Sequence, residues 1–338
     1  MARVLLLSAT PTGNRSPENL ALYLGLRRSS ELDRFGVHSL TDDPDSADII
    51  AFIELYGAGF YFERVRRHSF VKKYRAKCFL VSTIPNAIPF LPGVYTSIEK
   101  RWFSSRVRRG FYFGRPENPF IAFSPPRDDL SYLYSFMGSI ENAPVRRVLA
   151  TLVHPRGFFQ DTSAEYQRRL QGKMEDPEAQ DYYRRYADLT SASKFVLCPR
   201  GISVSSRRVF ETMSAGRVPV ILSDQWIAPV GPDWDKFAIR LPESEVADIP
   251  RLLGEREEEA VAMGKLARAQ WEQWFSDEAA FHRVIEWCLA IRNERRVPEY
   301  LGRLPAYLHY LRPVHLRHLL RRPYRFLRRF ISTPQSKN

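Results

Sequence analysis

Between Lys194 and Ile221 the sequence KFVLCPRGISVSSRRVFETMSAGRVPVI packs arginines, a carboxylate and small residues into one short unit. The apolar run Phe195 to Cys198 reads as a buried strand that stops at Pro199, Arg200 and Gly201. A guanidinium and a residue without a side chain therefore stand at the strand's carboxyl end, where Arg200 can fork onto a diphosphate. Ser205 or Ser206 is placed to cap a helix expected over Arg208 to Ala215, with Arg208 in its first turn and Glu211 three residues on along the same face. A cation near phosphate and an acid near ribose hydroxyls suit a nucleoside diphosphate. Gly216 tolerates the left-handed backbone of a helix end, and Val218 to Leu222 follows as a strand.

Such a unit needs a sheet to hold it. In parallel α/β sheets, ligands gather at the carboxyl ends of the strands, and helix N-termini there offer N–H groups to phosphate. Strand-length apolar runs at Val4 to Leu7, Ile49 to Ile53, Cys78 to Val81 and Gly110 to Phe113 alternate with polar, Arg-rich or Pro-containing stretches. The segment Ser-Pro-Pro-Arg-Asp-Asp within 124–132 neither continues a helix nor pairs in a sheet, and reads as a linker. A second half restarts with the strand Tyr134 to Met137, Gly138 and a helix near Pro144, followed by a helical stretch over Asp181 to Ser191. From Ile249 to Ile291 the pattern is helical, with Trp271 and Trp274 among the residues expected in the core. The expected domains are 1–125, 130–294 and a basic amphipathic tail, 295–338.

A chain of 338 residues with 44% hydrophobic residues can bury a full core, which excludes disorder. Its net charge of +13 is localised: residues 61–115 carry 13 Lys/Arg against 2 acids and 295–338 carry 11 against 1, so the rest is acidic. That distribution points to localised anionic partners and, with no recognition motif, away from an RNA-binding module. The three cysteines, Cys78, Cys198 and Cys288, have neither disulfide-framework nor metal-ligand spacing and are expected as buried thiols in a reducing compartment. The opening apolar run is too short for a signal peptide or a membrane span, giving a cytoplasmic expectation.

The segment Lys194 to Gly201, with Ser206, Arg208, Glu211, Gly216 and Val218 to Ile221, resembles the exostosin family of glycosyltransferases, glycosyltransferase family 47. The similarity continues through Ser223-Asp224, Pro229, Trp234 to Phe237 and Arg240 to Pro242, and Tyr134 to Gly138 with Arg146 and Arg147 resembles the opening of that family's nucleotide-binding half. It covers roughly residues 130–253. The resemblance implies an inverting, metal-independent transferase of GT-B architecture: two Rossmann-like parallel-sheet domains facing across a cleft. It implies no cofactor beyond the nucleotide-sugar donor, taken to be a UDP-sugar. Arg200 and Arg208 would meet the diphosphate, Glu211 the ribose, and Gly201, Ser206 and Arg146 would line the donor cleft. The sequence lacks the N-terminal anchor and second catalytic module of the animal members, so a bacterial-style enzyme of surface polysaccharide synthesis, acting on a glycan or lipid-linked glycan, fits better. A fucosyltransferase-like enzyme using a GDP-sugar and an inactive transferase-like partner subunit are the alternatives.

An inverting transfer needs a base for the acceptor hydroxyl. Glu54 closes the strand Ile49 to Ile53 just before Gly57 and Gly59, and is the first choice; Glu141 and then His154 follow. Two DxD patterns, Asp43 to Asp45 and Asp233 to Asp235, match a motif that chelates a donor-bound metal in another transferase fold, and are set aside here. In the tail, Leu316, Leu319, Leu320, Leu327, Phe330 and Ile331 recur at helical spacing between arginines, which suits either docking on an anionic membrane or packing back on the first domain.

Overall fold

The computed structural model describes residues 1–308 apart from 56–59, 86, 101–102, 114–117 and 174, together with 311, 313 and 316. Gly57, Gly59 and almost all of the 312–338 tail lie outside the described residues.

The first domain is a six-stranded parallel sheet: β1 (Arg3–Leu7), β2 (Ser39–Leu40), β3 (Ile49–Ile53), β4 (Cys78–Ser82), β5 (Gly93–Tyr95) and β6 (Val107–Arg109), in the order β2-β1-β3-β4-β5-β6. Every residue of β3 and β4 is buried, as expected of parallel strands covered on both faces. Helix α1 (Pro17–Glu31) starts where Ser16 accepts a hydrogen bond from the Asn19 N–H at 3.2 Å and Pro17 occupies the first turn. Short helices α2 (Glu63–Arg67) and α3 (Ser69–Lys73) precede β4.

The second domain holds the parallel strands β7 (Tyr132–Gly138), β8 (Gly157–Asp161), β9 (Ser193–Pro199), β10 (Val218–Leu222) and β11 (Ile239–Leu241), in the order β11-β10-β9-β7-β8. Its helices are α4 (Pro144–Leu149), α5 (Ser163–Leu170), α6 (Asp176–Ser191), α7 (Arg207–Ser214), α8 (Ile249–Glu255) and α9 (Ala260–Trp274). Both sheets share one winding. In each, the second strand flanks the first on one side and the third flanks it on the other, so a crevice opens at the carboxyl ends between β1 and β3 and again between β7 and β9.

The carboxyl ends of the two sheets face each other. Tyr112, just past β6, donates its hydroxyl to the Ser205 carbonyl at 3.4 Å, and the Lys100 N–H reaches the Gln225 carbonyl at 3.1 Å. The apolar stretch Gly110 to Phe113 is not the strand its composition suggests. It lies beyond β6, and Phe111 is buried against Phe210 of α7 and Phe275, so contact between the domains rather than sheet pairing covers it. This is the doubly wound, two-domain GT-B layout expected from the sequence.

The proline-containing linker is docked rather than loose: the buried Arg217 donates to the Ser124 carbonyl at 2.8 Å and to the Ser191 carbonyl at 2.7 Å. Helix α10 (Asp277–Glu294), placed in the second domain by the sequence pattern, packs on α1 and on β5 of the first. There Ser29 donates to the Asp277 carbonyl and accepts the Phe281 N–H at 2.8 Å. Trp226, Trp234 and Trp287 are core residues, while Trp271 and Trp274 pack at its edge. No helix among the described residues is long and apolar enough to cross a membrane.

Candidate functional site

The crevice between β7 and β9 is spanned by guanidinium groups. Arg146, buried on α4, donates from Nε to the Arg200 carbonyl at 2.8 Å, from Nη1 to the Ser139 carbonyl at 3.0 Å and from Nη2 to the Pro199 carbonyl at 3.3 Å. It thus ties the end of β7 to the end of β9. Arg208, in the first turn of α7, donates from Nη2 to the Met137 carbonyl, from Nη1 to the Leu197 carbonyl at 3.5 Å and from Nε to the Tyr186 hydroxyl at 3.1 Å. Both guanidiniums lie against the buried Phe136 ring, at 5.7 Å for Arg146 and 4.6 Å for Arg208.

Two glycines make room for them. A Cβ on Gly138 would lie 2.9 Å from Arg208 Nη2, and one on Gly201 would lie 3.1 Å from Arg146 Nη2. Burial, with the neighbouring Arg208 adding to it, lowers the Arg146 guanidinium to about 9, which leaves it cationic at neutral pH. Its three hydrogen-bond acceptors are all carbonyls, so no carboxylate bonded to it offsets the cost of that burial.

Glu211 faces the same pocket. Its Oε2 accepts the Tyr186 hydroxyl at 3.0 Å, so Arg208, Tyr186 and Glu211 form one chain of hydrogen bonds. Burial, and then the Glu211 charge, pushes the Tyr186 phenol well above its ordinary range, which keeps it protonated as the donor in that chain. Arg200 turns outward: its Nε pairs with Glu243 Oε1 at 2.6 Å, with the arginine side chain 29% exposed, and it lines a shallow cavity with Ser203, Val204, Asp224 and Glu243. Ser206 occupies the N-cap position of α7 with extended backbone, but its hydroxyl makes no capping bond. Of the two serines offered as the cap, Ser205 and Ser206, it is Ser206 that stands at that position. At the other end of α7, Gly216 has φ +76°, and its N–H and that of Arg217 bond back to Met213 and Thr212, each at 3.0 Å. That double bond-back is the Schellman closure a left-handed glycine permits.

The residues offered as a base divide sharply. Glu54 is fully buried, with both carboxylate oxygens taken. Its carboxylate accepts from the Ser8 hydroxyl at 2.8 Å, the Ala9 N–H, the Thr10 N–H and hydroxyl, each at 3.2 Å, and Asn19 Nδ2 at 3.1 Å. It closes the first domain's crevice, at the same topological place that the arginines occupy in the second. His154 precedes β8, at the amino end of the sheet and so away from the crevice, and its Nδ1 accepts the Arg156 N–H at 3.0 Å. Glu141 stands at the correct end, on the loop after β7, exposed and accepting from Gln167 Nε2 at 3.0 Å.

Neither DxD pattern gathers its carboxylates. Asp233 pairs with Lys236 at 2.7 Å and Asp235 with Arg240, while Asp45 is held by Tyr74 at 2.6 Å and Lys73 at 3.2 Å. Tyr186, Glu243 and Phe136 were not singled out as site residues from sequence. Nothing in a tyrosine-rich helix or an acid 43 residues downstream of Arg200 marks them before the fold brings them together.

The fold and this crevice define a two-domain α/β protein with a cationic pocket at the switch point of its second sheet. Residues 121–255 match the Exostosin GT47 domain. Among curated relatives, the Exostosin-1 homolog of Caenorhabditis elegans is 43% identical over 77 residues, covering 22% of this chain and 20% of that protein. Exostosin-1 of Drosophila melanogaster is 30% identical over 137 residues, 39% of this chain and 18% of that one. A probable glycosyltransferase of Arabidopsis thaliana is 33% identical over 76 residues, 22% of this chain and 16% of its own. The chain therefore spans about a fifth of the length of the curated relatives it matches. Among solved structures, Anabaena HepE in complex with UDP aligns over 85% of this chain and 99% of its own at 10% identity, with a TM-score of 0.36.

Proposed function

We propose that this protein is an inverting glycosyltransferase that takes a sugar from a nucleoside diphosphate donor, a UDP-sugar, to a glycan or lipid-linked glycan acceptor in surface polysaccharide synthesis. The observation that carries this reading is the pair of adjacent guanidiniums, Arg146 and Arg208, held at the β7/β9 switch point with carbonyl and hydroxyl partners. A diphosphate placed there supplies the directly bonded negative charge that Arg146 and Arg208 lack. The uncapped first turn of α7 adds N–H donors to the same anion. The first domain holds a buried carboxylate, Glu54, at its own switch point in place of guanidiniums, which supports reading the donor in the second domain and the acceptor in the first.

In this reading Arg208 meets the diphosphate, Arg200 joins it on leaving its pair with Glu243, Glu211 meets the ribose, and Arg146, Gly201 and Ser206 shape the pocket. Positive charge on the diphosphate comes from arginine, without a metal. Glu141, the exposed carboxylate of the two proposed, takes the proton from the acceptor hydroxyl as it attacks the anomeric carbon. The nucleoside diphosphate then leaves onto the arginines.

Thermal stabilisation by a panel of UDP-, GDP- and dTDP-sugars tests donor binding without knowledge of the acceptor. One UDP-sugar is expected to raise the midpoint in the wild type, with the effect lost in Arg208→Lys, which keeps a charge but cannot bridge Met137, Leu197 and Tyr186. Labelled-sugar transfer by Glu141→Gln is expected to fall about 10²- to 10⁴-fold with donor binding unchanged. Stabilisation by no nucleotide-sugar, or equal stabilisation of Arg208→Lys, overturns the donor assignment. Docking of 312–338 on an anionic membrane belongs to the same proposal, and liposome flotation unchanged by its deletion removes it.

A further inference from the structure

Away from the crevice, two imidazoles and a carboxylate meet where α10 crosses the first domain. His38 stands immediately before β2, and His282 and Glu286 lie one turn apart on the same face of α10. One ligand atom from each of the three lies within 4.8 Å of the others. His38 Nε2 is 2.9 Å from Glu286 Oε1; the histidine side chain is fully shielded and the glutamate is 47% exposed. The two imidazole rings are 5.0 Å apart, and Phe35 stacks on His282 at 4.2 Å, fixing that ring.

The cluster is under-satisfied. His38 Nδ1 and His282 Nδ1 are buried with no hydrogen-bond partner among the described residues, and so is Oδ2 of Asp33, on the loop between α1 and β2. Buried polar atoms normally find partners, and several orphans converging on one point call for a ligand.

We propose that His38, His282 and Glu286 form a structural site for a divalent transition-metal ion of the zinc class. The fourth position opens to solvent on the side of Glu286, whose side chain is 47% exposed. Two imidazole nitrogens and one carboxylate oxygen are a donor set that zinc accepts, and calcium or magnesium, which want oxygen, do not. Tetrahedral zinc with bonds of about 2.0–2.1 Å sets its ligand atoms roughly 3.3 Å apart, so the 2.9 Å His38–Glu286 pair must open slightly and a pair at the 4.8 Å limit must close by about 1.5 Å. The half-exposed Glu286 side chain can adjust, while the distance between the two imidazoles must close through His38 and His282 themselves. The ion ties the start of β2 to α10, fastening the returning helix to the first domain.

The test uses the tag-free full chain, stripped with a chelator and titrated with zinc chloride against a chromophoric competitor. One tightly bound equivalent per chain is expected. His282→Gln and Glu286→Gln should each weaken it by about 100-fold or more. A variant lacking His309, His315 and His318 of the tail should bind as the wild type does. Cobalt(II) substitution gives a second readout, the intense visible bands of a tetrahedral site, present in the wild type and lost in His38→Gln. Absence of a bound equivalent in the wild type, or unchanged binding in both α10 variants, overturns the proposal.

Discussion

Replacing Glu54 by Gln preserves the side chain's size and removes its charge, and the hydrogen bonds around it set what that must cost. Oε1 accepts from Ser8, Ala9 and Thr10, and Oε2 from the Thr10 hydroxyl and Asn19 Nδ2. The amide oxygen of Gln fits the first position, which carries two backbone N–H donors. Its NH₂ then faces Thr10, whose hydroxyl can turn to accept, and Asn19, whose amide cannot flip because its Oδ1 holds the Leu55 N–H at 2.6 Å. One buried donor is orphaned, at about 1–3 kcal/mol, and the remaining bonds lose their charge assistance, so the total is about 2–4 kcal/mol. For a cooperative unit of this size that lowers the melting midpoint by about 5–15 °C. Circular dichroism melts measure the midpoint, and donor binding and transfer are then assayed below both midpoints. The reasoning predicts a less stable protein whose surviving folded fraction binds and transfers normally. A variant that melts like the wild type yet transfers about 10²-fold or more slowly refutes it, and makes Glu54 the base after all.

Two further substitutions probe the second domain. Gly138→Ala places a Cβ 2.9 Å from Arg208 Nη2 and 3.2 Å from the Phe136 ring; donor affinity measured by calorimetry should fall about tenfold, equal to about 1.4 kcal/mol, with the fold intact. Glu257, 22% exposed, is held down to about 2 by hydrogen bonds from Arg156 and then Lys194, against an ordinary value of 4.5. A depressed carboxyl contributes stability that is fully present above about pH 4.5 and lost as the pH falls toward 2, here about 1–2 kcal/mol after solvent screening. Denaturant melts of Glu257→Gln should therefore show a flatter decline across that window than the wild type, and parallel curves would count against the pairing.

The second domain was the more readable half because its chemistry and its elements coincide in sequence. The strand, Arg/Glu helix, glycine and strand from Lys194 to Ile221 appear in the fold as β9, α7, the φ +76° turn and β10. In the first domain β2 and β5, of two and three residues, are too short to leave a pattern. Gly93 in β5 reads as a breaker, although it is there because the Leu80 backbone leaves no room for a Cβ. Phe111 and its neighbours are as apolar as a strand but owe their burial to the other domain, a distinction that periodicity does not carry. The same limit applies to roles. Glu54 sits at the end of a strand, as a base would, and only the loop folded over it reveals that its oxygens are already taken. Tyr186 links Arg208 to Glu211 across more than 20 residues, a relation that exists in space and not in spacing.

The return of α10 to the first domain has a consequence for synthesis. The bond between Ser29 and the Phe281 N–H spans 252 residues, so at roughly 5–20 residues per second the partner of α1 is made about 13–50 s after α1 itself. Through that interval the nascent first domain has its sheet but not the helix that covers one flank, and it presents apolar surface on the ribosome while the entire second domain is being translated. Chains stalled within residues 131–276 should consequently engage chaperones more than the finished protein does, and α10 acts as a latch that ends that exposure.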